Sequence, residues 1–152
     1  MSKISFLEII KEEFNVQLNP SELKSFIDKK NKKKFFVKWL TENQFMISLN
    51  FSFGTNYAFD IDYKSKSAIC ASVTMCELTE NKTHIKIETK NKYGLLVILI
   101  LPIIMMIFQF VFDLEIPLFS YFIPLIFFVF ISSIFKSEEK RLIRYFKEYL
   151  SH

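Results

Sequence analysis

LLVILILPIIMMIFQFVF, Leu95 to Phe112, and LFSYFIPLIFFVFISSIF, Leu118 to Phe135, decide how this chain is read. Neither run contains a charged side chain. Each holds about 18 residues, so as a helix it reaches about 27 Å, enough for a thin hydrocarbon core. A soluble core helix would carry a polar stripe. Gln109, Ser120, Ser132 and Ser133 are too few and too scattered to make one. Between the runs, DLEIP (Asp113 to Pro117) is just long enough to turn one helix back beside the other. The pattern predicts a two-helix transmembrane hairpin. Its rival, a fully buried soluble hairpin, fits the length less well.

The flanks predict the orientation. Lys82, Lys86, Lys90 and Lys92 precede the hairpin, and Lys136, Lys140, Arg141, Arg144 and Lys147 follow it. The turn between carries Asp113 and Glu115 but no Lys or Arg. The positive-inside rule then puts both flanks in the cytoplasm, on a bacterial inner membrane. The first residues are polar and mixed, without the short apolar stretch of a cleaved signal.

The chain has 152 residues, is 51% hydrophobic and carries a net charge of +4. The segment before the hairpin, about 90 residues, is enough for one small core and not two. Gly is scarce, 2 against 19 Phe, which argues against phosphate-cradling loops. The modest positive charge suits an anionic leaflet. It is too small and too spread out to point to nucleic acid.

Along the chain, Ile4, Leu7, Ile10 and Phe14 recur at helical spacing, which predicts a short amphipathic helix over Ser2 to Phe14. In NPSEL, Asn19 suits an N-cap, Pro20 the first helical position and Glu22 the third, opening a second helix that ends near Lys30. Next comes KKNKKK, Lys29 to Lys34. Such a run is a solvated linker in its plain reading, and a contact with anionic headgroups in its functional one.

From Phe35 the period changes to two. FFVKWL is one strand. Phe45, Ile47, Leu49 and Phe51 alternate with Met46, Ser48 and Asn50. Phe59, Ile61 and Tyr63 alternate with Asp60, Asp62 and Lys64. Ile69, Ala71, Val73 and Met75 alternate with Cys70, Ser72, Thr74 and Cys76, and Ile85 and Ile87 with His84, Lys86 and Glu88. These patterns predict a five-stranded antiparallel meander with one apolar face, covered by one or both N-terminal helices, with Trp39 at or near the core. Cys70 and Cys76 on one strand stand about 20 Å apart and cannot bond to each other.

After the hairpin, Ser137 is placed to cap a last helix. Leu142, Ile143, Phe146, Tyr149 and Leu150 form its apolar stripe, with Lys140, Arg141, Arg144 and Lys147 on the other side. Such a helix has two uses: it can lie in the headgroup plane, or it can pack on its own β-domain or a partner.

The fold class expected is therefore an α+β membrane protein. Residues 1–92 form a cytoplasmic domain of short helices and an antiparallel β-meander. Residues 93–135 form the hairpin, with spans 95–112 and 118–135, and 136–152 a cytoplasmic amphipathic helix. This layout, with FFVKWLTENQFMI and ENKTHIKIETK as the closest stretches, resembles a group of small bacterial two-helix membrane proteins of unknown function. No catalytic motif defines that group, so the resemblance implies no functional residues.

No catalytic, cofactor-binding or metal-binding constellation stands out. His84 is alone on a strand, and no H-E-x-x-H, C-x-x-C or G-x-S-x-G occurs. Asp60 and Asp62 share a strand face, but Lys64 continues the row as on a solvated surface. The membrane runs hold no ionisable group for a proton or ion path. Gln109 is placed for an interhelical hydrogen bond, and Pro102 and Pro124 for kinks or helix packing. Lys29, Lys30, Lys32, Lys33, Lys34, Arg141, Arg144 and Lys147 are the candidate contacts to a membrane surface or an acidic partner. The function expected is a non-catalytic accessory or scaffolding subunit, without cofactors, embedded in the lipid bilayer and docked on a larger membrane complex. The alternative is a self-assembling membrane effector in which the β-domain senses and gates a homo-oligomer.

Overall fold

Alternating apolar residues build a five-stranded antiparallel sheet. In the computed structural model, which describes residues 9–29, 34–50, 52, 69–90 and 93–151, the strands are β1 (Lys11–Val16), β2 (Phe35–Trp39), β3 (Gln44–Leu49), β4 (Cys70–Thr79) and β5 (Lys82–Thr89). The helices are α1 (Pro20–Lys29), α2 (Tyr93–Phe112) and α3 (Phe122–Ser151). The described residues divide into two units: 93–136, and 9–90 together with 137–151.

Strand order is β1-β5-β4-β3-β2. β2 to β5 form a meander, and β1 adds to the outer edge of β5 with Phe14 opposite Ile85 and Glu12 opposite Ile87. The helix expected over Ser2 to Phe14 is thus a strand in its described part. Glu12, Phe14 and Val16 also alternate at period two, and the edge of β5 supplies the ladder that an isolated helical turn lacks. The strand expected over Phe59 to Tyr63 lies outside the described residues. The sheet reaches five strands through β1, which the sequence pattern assigned to a helix.

α1 begins as the sequence predicts. Glu22 N–H donates to Asn19 Oδ1 at 2.8 Å, and Asn19 N–H donates to Glu22 Oε2 at 3.2 Å, a reciprocal capping box. Leu23 and Ile27 on its inner face are fully buried. Phe45, Ile47, Leu49, Val73, Ile85 and Ile87 share the covered face of the sheet, each at most 1% exposed. Trp39 is half-buried, its ring centroid 4.6 Å from that of Phe45, and its indole N–H donates to Asp28 Oδ1 at 2.9 Å. Ser48, expected on the solvated side, is instead buried opposite Cys70.

α3 runs unbroken through Ser137, so the separate capped tail helix is not formed. KSEEKRL holds no Gly or Pro to stop a helix. Its residues beyond 136 belong with the sheet. Leu142, Ile143 and Phe146 are at most 2% exposed. The Phe146 ring meets Phe35 and Phe45 edge-on, 5.8 Å from each. The Tyr149 hydroxyl donates toward the carbonyls of Phe26 and Ile27 at 3.4 and 3.3 Å. Of the two uses open to this amphipathic stretch, its apolar stripe completes the core of the sheet.

The other unit is built differently. α2 ends with Asp113 at φ 52°, a left-handed position that Asp tolerates, and Leu114 N–H donates to the Gln109 carbonyl at 3.2 Å. That pairing closes the helix end in a Schellman turn. A 3-10 turn, Leu118–Tyr121, leads into α3. Two helices here are long and apolar enough to cross a membrane, and only 6% and 11% of their apolar windows are buried within the protein. A soluble core helix would be mostly buried. In the part of α3 that belongs to this unit, Pro124, Phe128 and Ser132, at i, i+4 and i+8, are buried.

Candidate functional site

The charged candidates fall on the outer side of the last helix and at the start of β2. The apolar stripe of α3 faces the sheet, so helical geometry turns Lys140, Arg144 and Lys147 outward, at i, i+4 and i+7. Lys34, at the foot of β2, joins them. Its ammonium lies 4.5 Å from the Tyr145 ring centroid and 3.8 Å from Glu148 Oε2. Arg144 lies 5.8 Å from the same ring and 4.0 Å from Glu148 Oε1. Lys147 pairs with Glu12 of β1 and lies 5.4 Å from the Phe14 ring. Arg141 pairs with Glu138 one turn earlier. Lys29 is exposed in the last turn of α1. Lys30, Lys32 and Lys33 lie outside the described residues.

Tertiary structure therefore brings Lys34, Arg144 and Lys147 to one surface, and each with a carboxylate beside it. The groove there, about 460 Å³ and open to solvent, has Glu12, Lys140, Arg144, Lys147 and Glu148 on its walls. Three cations face two carboxylates, so it is a mixed-charge surface and not a dedicated anion pocket. Lys147 and Lys34 also tie the tail to β1 and to the start of β2. Glu12, which makes one of these ties, carries no signal in the sequence, since its partner lies at the opposite end of the chain.

The uncovered face of the sheet carries a polar ladder. Glu88 accepts from Lys11 and Lys86, each at 3.1 Å, and these hydrogen bonds hold its carboxyl below the usual range. The same hydrogen bond to Glu88 pushes the Lys86 ammonium up. His84 Nδ1 lies 2.8 Å from Asn15 Oδ1 and its Nε2 lies 3.5 Å from Glu13 Oε2. This ladder satisfies itself across β1 and β5.

The cysteines lie on one strand, β4, as the alternation predicts. Burial pushes the Cys70 thiol up, against the opposing pull of Lys90. A raised thiol pKa keeps sulfur protonated and poorly nucleophilic. Cys76 is exposed.

In the apolar unit, Tyr121 O–H donates to Gln109 Oε1, joining α2 to the turn before α3. Pro102 sits inside α2, where it removes the bond that its N–H would have made to Ile98. Pro124 falls in the first turn of α3, where a missing N–H leaves no intrahelical bond unmade.

Compared with protein-family models, with curated proteins and with solved structures, the chain finds no match.

Proposed function

We propose that this chain is a non-catalytic accessory or scaffolding subunit of a bacterial inner membrane, whose hairpin crosses the bilayer twice and whose sheet unit stands in the cytoplasm, docking with the hairpin on a larger membrane complex. One observation carries the topology. Residues from both sides of the apolar segment share a single core, in which Phe146 packs on Phe35 and Phe45. That shared core supports placing both flanks on one side of the bilayer, with the segment between them crossing an even number of times. The lysine-rich flanks favour the cytoplasmic side. The outward faces of α2 and α3 support the anchoring role: Phe110, Val111 and Ile126 are 84%, 67% and 67% exposed, as lipid-facing residues would be.

In this reading the cations at Lys29, Lys34, Arg141, Arg144 and Lys147 orient the sheet unit on anionic headgroups or on an acidic partner surface. Their carboxylate neighbours moderate that attraction, so orientation is weak and sensitive to salt. Thiol labelling at positions 151 and 115 in intact cells tests the topology: position 115 reacts from outside and position 151 only after permeabilisation. Labelling of both from outside would overturn it. Purification in mild detergent tests the docking role. A larger complex that co-purifies in fixed stoichiometry supports it, and the chain recovered alone refutes it.

A further inference from the structure

The two edges of the sheet are unlike. β1 and β2 are its outer strands, and among the described residues no strand pairs with the far side of either. An open edge is a row of backbone donors and acceptors ready to receive another strand. β1, KEEFNV, is blunted by the charges of Lys11, Glu12 and Glu13. β2, FFVKW, has Lys38 as its single charge, and Phe36 is exposed on the face away from the helices, beside the buried Ser48.

We propose that β2 is a self-pairing edge: a second copy of this chain adds its own β2 antiparallel about Val37, joining the two sheets into one. The sequence of the strand is self-complementary about that residue. On the helix-covered side Phe35 faces Trp39 of the second copy, and Val37 faces Val37. On the side away from the helices Phe36 faces Lys38, an aromatic ring opposite a cation, and the two-fold axis makes this contact twice. Parallel addition in register would instead set Lys38 against Lys38. The same antiparallel operation on β1, about Glu13, sets Glu13 against Glu13 and Lys11 against Asn15, with like charges opposed and none matched. Complementarity thus selects the edge, its direction and its register.

Five residues a strand make a small interface. Pairing is therefore helped by the local concentration that a shared bilayer imposes, and in that respect it rests on the membrane reading above.

The test uses the full chain reconstituted in lipid bilayers, with Cys76→Ser to remove the exposed thiol. Val37→Cys should cross-link to a dimer with a short bifunctional thiol reagent, because directly opposed residues in an antiparallel pair stand about 4.5–5.5 Å apart at Cβ, wider than a disulfide spans. Lys11→Cys should not. Phe36→Lys, which sets like charges opposite each other, should lower the Val37→Cys cross-linking about tenfold, on the order of 1.4 kcal/mol. Adding Lys38→Glu should restore it. A cooperative thermal transition followed by far-UV circular dichroism reports that each variant is folded. Absence of the Val37→Cys dimer in the folded protein overturns the proposal, as does a dimer indifferent to Phe36→Lys. If the chain fails to enter bilayers, the membrane reading fails separately, and the same cross-links are then scored in solution.

Discussion

Phe45 and Phe146 in the sheet unit are fully buried, whereas Phe110 and Phe130 in the hairpin are 84% and 60% exposed. The side chain is the same and the surroundings are reversed. Around the sheet, water drives aromatic side chains inward and leaves Lys86 and Glu88 outside. Along the hairpin, apolar surface is turned outward, and Tyr121 pairs with Gln109 at a half-buried position. The difference teaches that one substitution should have opposite consequences in the two units.

The largest expected effect is removal of residues 137–152. It takes Leu142, Ile143 and Phe146 from the core at once, each worth about 2–5 kcal/mol. That total approaches or exceeds the whole stability of a typical domain, about 5–15 kcal/mol. The sheet unit should lose its cooperative thermal transition and become protease-sensitive, while the hairpin still partitions to membranes. Retention of a cooperative transition would break the comparison.

Single truncations sharpen it. Phe146→Ala should cost about 3–5 kcal/mol in denaturant unfolding. Phe130→Ala, at an exposed hairpin position, should leave the transition of the sheet unit unchanged. Conversely, Ile126→Asp should weaken membrane insertion by about 3–4 kcal/mol, read as the inserted fraction in a translocation assay. The sheet should tolerate it.

Within the hairpin, Tyr121→Phe removes the hydroxyl from Gln109. Interhelical hydrogen bonds in membranes average about 0.6 kcal/mol, so a small loss of helix-pair stability is expected in detergent titrations. A loss as large as that of Phe146→Ala would mean that polar contacts, and not lipid, hold this unit.

The smallest effect is at Glu88. Its carboxyl is held below the usual range by hydrogen bonds from Lys11 and Lys86. A lowered folded-state pKa stabilises fully above the ordinary carboxylate range and ceases to do so as pH falls through the lowered value. Glu88→Gln should therefore be slightly less stable than the parent at neutral pH and equal to it in strong acid. The exposure of the pair and added salt should shrink the difference further.

Much of this fold is legible in local pattern. The capping box of Asn19 and Glu22, the alternation of β3, β4 and β5, and the uncharged length of Leu95 to Phe112 each depend on near neighbours in the chain. β1 was legible only as apolar recurrence, because Phe14 satisfies a helical spacing and a strand spacing equally well over so short a stretch. The cationic surface was legible as composition and not as geometry. Lys34 and Arg144 are over a hundred residues apart, and no local rule joins them.

The sequence by itself determined that two uncharged runs need an apolar environment and that the segment before them alternates as strands, because both follow from side-chain hydrophobicity at a fixed backbone period. Only tertiary structure decided where two ambiguous segments belong. Residues 11–16 became a strand because β5 had an edge to offer. The apolar stripe of Leu142, Ile143 and Phe146 is suited equally to a membrane surface or a protein core, and it entered the core because the sheet presented an apolar face of matching shape. Amphipathicity states that a face must be covered; which surface covers it depends on contacts between residues far apart in the chain.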